Sequence, residues 1–492
     1  MKEPSARVSF TLFIAVIILQ TFIYSQRYSG IHQMQSEYYK KHYDESSRQQ
    51  ESGSIQPNQP RERTPSHEVF GYHPYWMGTA WQNYNFDLIT TLAYFSAEVN
   101  GTGGLDDLHG WPITGLINEA HAHGTDVVLC ATLFNSTDIT TLLSSSTNRT
   151  NCINNLLAQV QAGNADGINI DFESFPSSQK DNMVTFITDL TATFHSEISG
   201  SQVTIAMPAV DWSDGWDYNA LASISDGLFI MGYGYHWSGS STAGPISPLT
   251  GWGTYNITWT VNDYLNKTGN DQDKIILGLP YYGYEWPTIS GNAGTSTTGS
   301  GDAKFYSEAI ALAESWGFLW DNESQTPWYR YQDTTNHWHQ GWYDDSLSLS
   351  LKYDFAMDQN LKGVGMWALG YDGSNSELWN LLYAKFTQLK SETDGHPIVP
   401  ASLQINRIYP NPFNASVTVE FFLPLNRQDA SIILTDLLGR VIQKTSIVPK
   451  GQQTTWTWTG IDKSGIVSPT GLYFVIINNG EQTQSRKITL LK

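Results

Sequence analysis

The stretch DGINIDFE, Asp166 to Glu173, decides how the rest of the chain is read. In an extended strand, alternate side chains point to the same side. Asn169, Asp171 and Glu173 share one parity, and Ile168, Ile170 and Phe172 share the other. An apolar face packed under helices and a polar face turned to an enclosed axis is the pattern of an inward-facing barrel strand. Two carboxylates on the enclosed face cost free energy unless they are hydrogen-bonded or hold protons. A fold has no need of that arrangement, and a catalytic site does. Glu173 ends the strand, and barrel enzymes gather their chemistry at the C-terminal strand ends.

Outward from this stretch, short apolar runs recur on both sides. They are His67–Trp76, Leu88–Val99, Asp126–Asn135, Asp166–Glu173, Gln202–Trp212, Asp226–Trp237, Lys274–Trp286 and Gly363–Tyr371. Nearly continuous apolar strands separated by helix-length segments indicate parallel strands covered by helices. Eight such units over about 320 residues predict an α/β fold, a (β/α)₈ TIM barrel spanning 67–392. The gap before the last strand holds a Gly/Ser/Thr loop, a helix-like stretch (Ala303–Glu314) and the aromatic hairpin-like segment PWYRYQDTTNHWHQGWY. It predicts a small α+β insertion at about 287–346, walling one side of a cleft. From 400 to 492 strands alternate with turns, as in ASVTVEFFLP, TTWTWTG and GLYFVIIN, which predicts a small all-β immunoglobulin-like sandwich. Residues 401–492 carry nine Lys/Arg and five Asp/Glu, a net of +4, so the remainder of a chain of net charge −20 carries −24. That contrast marks a separate module.

The first 25 residues predict a secretory signal peptide. Lys2 and Arg7 are basic, the run Val8 to Tyr24 is apolar, and Ser25 offers a cleavage point. Gln20 and two Thr interrupt the run, which favours cleavage over a membrane anchor. Residues 26–66 are polar, rich in Gln, Ser, Glu and Arg, and predict a flexible linker. The net charge of −20 excludes nucleic acid and anionic membrane as natural partners. The 18 Trp and 26 Tyr suit either a Trp-rich core or surfaces on which sugar rings stack. Cys130 and Cys152 show no metal-ligand spacing, and their pairing is left open.

DGINIDFE resembles the D-G-x-D-x-D-x-E signature of glycoside hydrolase family 18, which includes chitinases and endo-β-N-acetylglucosaminidases. It falls on the fourth strand, where the family carries it. The resemblance implies that Glu173 is the general acid and then the general base. It implies that Asp171 orients the substrate acetamido group, with Asp166 and Asn169 in support. Asn169 departs from the commoner acidic residue. The sixth strand, FIMGYGYHWSG, resembles the family's M-x-Y-D segment at Met231 to Gly234. Tyr233 would then hold the acetamido carbonyl. Gly234 stands where the family has Asp, with Tyr235 and His236 as the neighbours placed to replace it. Trp367 in GVGMWALGYDG would floor the cleaved subsite. Tyr72 and Trp76 in VFGYHPYW, Asp211 in MPAVDW, and Tyr282 and Trp286 in GLPYYGYEW complete the expected substrate-binding set with Met231. The reaction implied is substrate-assisted and retaining, so the substrate must carry a 2-acetamido group.

The tail resembles another family. YPNPFN (Tyr409–Asn414), LTDLLGRVI, SGIVSPTGLYFVII and the basic end SRKITLLK resemble the C-terminal sorting domain of type IX secretion. The resemblance implies secretion machinery as a partner and a secreted or cell-surface location. The first reading is an active, monomeric hydrolase of N-acetylglucosamine-containing polysaccharide, needing no cofactor and no metal. A second is a family 18-like lectin that lost turnover, motivated by Gly234. A third, a metal-dependent barrel using Asp166, Asp171 and Glu173 as oxygen ligands, ranks last because no His accompanies these acids at ligand spacing.

Overall fold

Burial along β1 (Glu68–Pro74) spares only Glu68, the mark of a strand covered on both faces. The computed structural model describes residues 30–42, 53–59, 65–387, 404–422, 430–436, 439–447, 453–478 and 483–491. The signal-peptide expectation lies outside the described residues. After β1 come β2 (Thr91–Val99), a short antiparallel edge strand β3 (Leu105–Asp107), β4 (Asp126–Leu133), β5 (Gly167–Phe172), β6 (Gln202–Pro208), β7 (Gly227–Met231) and β8 (Ile275–Pro280). The insertion holds β9 (Tyr282–Thr288), β10 (Asp302–Phe305), β11 (Leu319–Asp321), β12 (Thr326–Gln332) and β13 (Trp338–Trp342), and β14 (Gly363–Trp367) returns to the barrel. The nine-stranded sheet runs β1-β14-β8-β7-β6-β5-β4-β2-β3, and β1 also pairs with β2, so everything except β3 closes into a parallel eight-stranded barrel. Closure removes the exposed edges that an open sheet would present.

Helices cover the outside. The one at Lys180–Glu197 shows why. Met183, Phe186, Ile187, Leu190 and Phe194 recur at three- and four-residue steps and are buried, with Asp181 in the first turn and His195 in the last. An apolar stripe with an acid in the first turn, facing the positive end of the helix dipole, is a helix built to lie on a sheet. Each such fully buried aliphatic or aromatic side chain contributes about 1.5–3 kcal/mol. Asn135, Ser145, Asp217 and Asn256 accept hydrogen bonds from first-turn amides and start their helices.

Two expectations are corrected. The strand read as Lys274–Trp286 is two strands. β8 ends at Pro280, and β9 leaves the barrel to pair antiparallel with β10 and β13. The insertion therefore begins at Tyr282, not at about 287. Both strands are buried on both faces, so no change of period marks the break. The linker expectation for 26–66 also fails where the chain is described. Residues Ile31–His42 form a helix, α1, and its Ile31, His32, Gln35 and Ser36 are buried. Residues 53–59 lie against the helix Thr114–Ala122, with Gln56 N donating to Asn118 Oδ1 at 2.7 Å and Gln59 N to the His121 carbonyl at 3.0 Å. The composition looked like that of a linker because the side chains α1 buries are mostly polar, His32, Gln35 and Ser36 beside Ile31.

The tail forms two sheets, Gln404–Tyr409 with Val417–Phe422 and Gln453–Trp458, and Val441–Ile447 with Ala430–Asp436, Gly471–Asn478 and Thr483–Leu490. Val419, Phe421, Leu434, Trp458, Val475 and Ile488 fill the space between them. Arg407 Nη2 meets Asp345 Oδ2 of the barrel at 2.9 Å, with its guanidinium over Trp320 and Tyr409.

Candidate active site

β5 brings its inward-facing residues to the barrel axis as the alternation requires. Asn169 and Asp171 are fully buried and Glu173 is nearly so. Glu173 follows the last strand residue and is held by its own N–H to the Leu133 carbonyl at 3.2 Å. Ser174 then takes a left-handed φ of 57°, so the chain turns away directly after the carboxylate. Asn169 lies deeper. It accepts from the Tyr72 hydroxyl at 2.9 Å and donates to Thr204 Oγ1 at 2.9 Å, so β1, β5 and β6 meet on one amide. A side chain that both accepts and donates suits this buried place better than a carboxylate would.

The mouth above β5 is filled by α1. His32 lies between Asp171 and Tyr233. Its Nδ1 lies 2.8 Å from Asp171 Oδ2 and its Nε2 2.7 Å from the Tyr233 hydroxyl, and the tautomer with its proton on Nδ1 gives an N–H to Asp171 and accepts from Tyr233. Its ring stacks on Trp367 at 3.6 Å between centroids. Gln35 Oε1 accepts from Trp367 Nε1 at 2.9 Å and from the Tyr371 hydroxyl at 2.6 Å. Tyr39 stacks on Trp76 at 4.7 Å, and Lys40 pairs with Glu98 at 2.6 Å. One ring nitrogen of His32 and one carboxylate oxygen each of Asp171 and Glu173 lie within 4.8 Å of one another, and the His32–Asp171 contact has hydrogen-bond length.

Burial raises the Glu173 carboxyl, and Asp171 beside it raises it further. Against these, His32 and the backbone N–H groups of Gln33 and Gly30 lower it, leaving it at about 8. Burial also lifts Asp171 well above the usual carboxylate range and lowers His32 to about 4, so the imidazole is neutral at pH 7. Glu173 at neutral pH therefore holds a proton, as a general acid must. Asp171 Oδ1 and Glu173 Oε1 have no hydrogen-bond partner among the described residues.

The sequence-predicted residues divide. Glu173, Asp171, Tyr233, Trp367, Tyr72 and Trp76 come together, and the Tyr282 ring lies 6.0 Å from that of Tyr233. Asp166 does not join them. It precedes β5, where it accepts from His121 Nε2 at 2.9 Å and from the Val127 amide at 2.7 Å, about 16 Å of strand away from Asp171. Its support of the site and its place in a three-carboxylate metal centre both lapse. Asp211 accepts from the amides of Ser213, Gly215 and Trp216 and orders that loop. Trp286 is buried in the insertion sheet, donating to the Ser238 carbonyl at 3.3 Å. Met231 ends β7 against Pro208 and Gly278 and carries Tyr233 two residues on. Gly234 has φ 79°, a conformation that disfavours the Asp of the family pattern. Neither neighbour replaces that Asp: the Tyr235 hydroxyl bonds Thr260, and His236 bonds the Pro245 carbonyl. Cys130 and Cys152 are free and buried.

Sequence reasoning missed His32, Gln35, Tyr39 and Tyr371. The only local signal for the first three is a stripe at positions 32, 35, 36 and 39, the spacing of one helical face.

Residues 68–372 match the glycosyl hydrolases family 18, and residues 407–490 match the secretion system C-terminal sorting domain, which marks the chain for export. The chain is 29% identical over 350 residues to di-N-acetylchitobiase of Homo sapiens, covering 63% of this chain and 82% of that protein. It is 25% identical over 312 residues to the cortical fragment-lytic enzyme of Bacillus subtilis, covering 60% and 67%. It shares its fold with an immunomodulatory active chitinase from Trichuris suis at TM-score 0.57 and 23% identity, over 62% of this chain and 92% of that one. The signature on β5, the closed eight-stranded barrel and the family match over residues 68–372 agree: this exported glycosidase belongs to glycosyl hydrolase family 18.

Proposed function

We propose that the chain hydrolyses β-1,4-linked N-acetylglucosamine polysaccharide, chitin or a related polymer, by a substrate-assisted retaining mechanism. Glu173 gives its proton to the glycosidic oxygen. The substrate's acetamido oxygen attacks the anomeric carbon, the C–O bond breaks, and an oxazolinium ion forms. Asp171 accepts the acetamido N–H, and Tyr233 donates to the acetamido oxygen. Glu173, now a carboxylate, takes a proton from water. The water oxygen adds to the anomeric carbon and opens the ring, which restores the protonated acid. The observation that carries this reading is the placement of an acceptor and a donor, Asp171 Oδ2 and the Tyr233 hydroxyl, on either side of one small planar group. The second carboxylate sits on the same strand as the acid, beside it rather than across a sugar from it, which favours a nucleophile supplied by the substrate. The chain's first 25 residues fit the same reading as a signal peptide, consistent with a sorting tail.

The test is Glu173→Gln on an aryl chitobioside. We expect release of the aryl group to be lost while chito-oligosaccharide binding persists, and the first wild-type product to be the β-anomer by NMR. Wild-type rates in the variant, or an α-anomer, would refute the scheme.

A further inference from the structure

A helix that merely braces a fold buries apolar residues. α1 buries His32, Gln35 and Ser36 together with Ile31, and their partners are the groups expected to bind substrate. Burying polar groups is costly unless each finds a matched partner. His32 and Gln35 find theirs in Asp171, Tyr233, Trp367 and Tyr371.

The match is chemical as well as steric. A neutral imidazole with its proton on Nδ1 offers one N–H and one acceptor in a plane. A 2-acetamido group offers an N–H and a carbonyl oxygen, also in a plane. In that tautomer His32 gives its Nδ1–H to Asp171, accepts a hydrogen bond from the Tyr233 hydroxyl on Nε2, and stacks on Trp367 with 28° between the ring planes. It occupies the place and satisfies the bonding that the acetamido group would claim. Gly30 touches the acid itself: a β-carbon there would lie 1.7 Å from Glu173 Oε2. Only glycine lets the backbone approach the catalytic carboxyl this closely. Farther out, Tyr39 covers Trp76 at 4.7 Å and 11°, as a sugar face would.

The geometry points to residues 30–42 as a tethered, substrate-mimicking inhibitor that holds this family 18 site closed, with His32 standing in for the 2-acetamido group. The inference rests on the function proposed above. Being part of the same chain, the segment competes intramolecularly with substrate, so even weak docking suppresses turnover. Removal of the segment, or its displacement by a long polymer binding many subsites at once, opens the site.

The full chain is compared with Gly30→Val and with the double variant His32→Ala/Gln35→Ala on an aryl chitobioside, and amide hydrogen exchange across residues 31–42 is read in parallel. We expect slow exchange and low turnover in the wild type. In both variants exchange should be fast, and kcat/KM should rise at least about tenfold, mainly through KM. Chitotetraose added to the wild type should speed exchange in the same amides. Equal turnover in wild type and variants, with exchange fast in all three, overturns the inhibitor and leaves the glycosidase standing. Lower turnover with a lower melting temperature in the variants marks α1 as a structural brace and overturns it as well. Absence of turnover in all three, with exchange freed in the variants, overturns the glycosidase reading and the inhibitor with it.

Discussion

The Tyr72 hydroxyl donates to Asn169 Oδ1 at 2.9 Å, tying β1 to β5 beneath the Asp171 and Glu173 carboxyls. The amide's nitrogen goes to Thr204, and Cys130 Sγ approaches the same oxygen at 3.4 Å. This neutral amide separates the buried floor from Asp171, whose carboxyl is itself pushed up by burial.

Asn169→Asp puts an acid into that floor. Its folded pKa will be raised above the unfolded value near 4, because burial penalises the charge. A raised acid is harmless below its unfolded pKa and costs stability as pH rises above it. The melting temperature of the variant should match the wild type near pH 4 and fall below it at pH 8, by about 1–3 kcal/mol of stability. An equal difference at both pH values would show that the substitution acts through shape.

Tyr233→Phe removes one hydroxyl from the site. If that hydroxyl stabilises the acetamido oxygen as charge develops, kcat should fall by about 10² to 10³. Loss of the His32 partner should also speed amide exchange in α1. A variant within threefold of wild type, about 0.6 kcal/mol in barrier, would take Tyr233 out of the reaction.

His73 is buried beside Tyr84, its Nδ1 and the Tyr84 hydroxyl 2.9 Å apart. Burial lowers its pKa to about 3, against a smaller opposing effect from the Gly78 backbone. A histidine lowered on folding stabilises the native state above its unfolded pKa of about 6.5 and loses that stabilisation as pH falls towards 3. His73→Asn keeps a polar atom near Nδ1 and cannot titrate. Its melting temperature should drop less than the wild type's between pH 7 and pH 4.5, and parallel drops would contradict the assignment.

Lys352 and Asp344 form an ion pair with both side chains fully buried. Burial pushes the two groups towards their neutral forms, the carboxyl up and the amine down. Lys352→Met leaves Asp344 in the interior without its partner and should cost about 3–5 kcal/mol in denaturant unfolding. Adding Asp344→Leu should recover most of the loss. A double variant no better than the single would mean that packing, not charge, decides the cost.

The strands of the barrel, the inward parity of Asn169, Asp171 and Glu173, and the grouping of Tyr233, Trp367, Tyr72 and Trp76 were all legible in the order of residues. The parity follows from a period of two along a strand and the shared mouth from the position of the strand ends, while Tyr233 and Trp367 were placed there by the family resemblance. Period and strand ends are local, so a short window of sequence carries them. The roles of Asp166, Asp211 and Trp286 were not legible. A carboxylate or an indole is the same letter whether it faces a cleft, orders a loop or fills an insertion, and only the partners it meets in space tell these apart.

The docking of α1 belongs wholly to the tertiary structure. His32 and Asp171 are 139 positions apart, and the segment's low hydrophobicity reads as linker by every compositional measure. It docks by hydrogen bonds and aromatic stacking that match the barrel mouth, and complementarity is a property of two surfaces. The sequence by itself pointed to the family this chain belongs to and set the parity that turns Asp171 and Glu173 inward. Only the folded chain decided that the mouth above Asp171 and Glu173 is occupied by α1, because a helical stripe at 32, 35, 36 and 39 does not say which distant surface it meets.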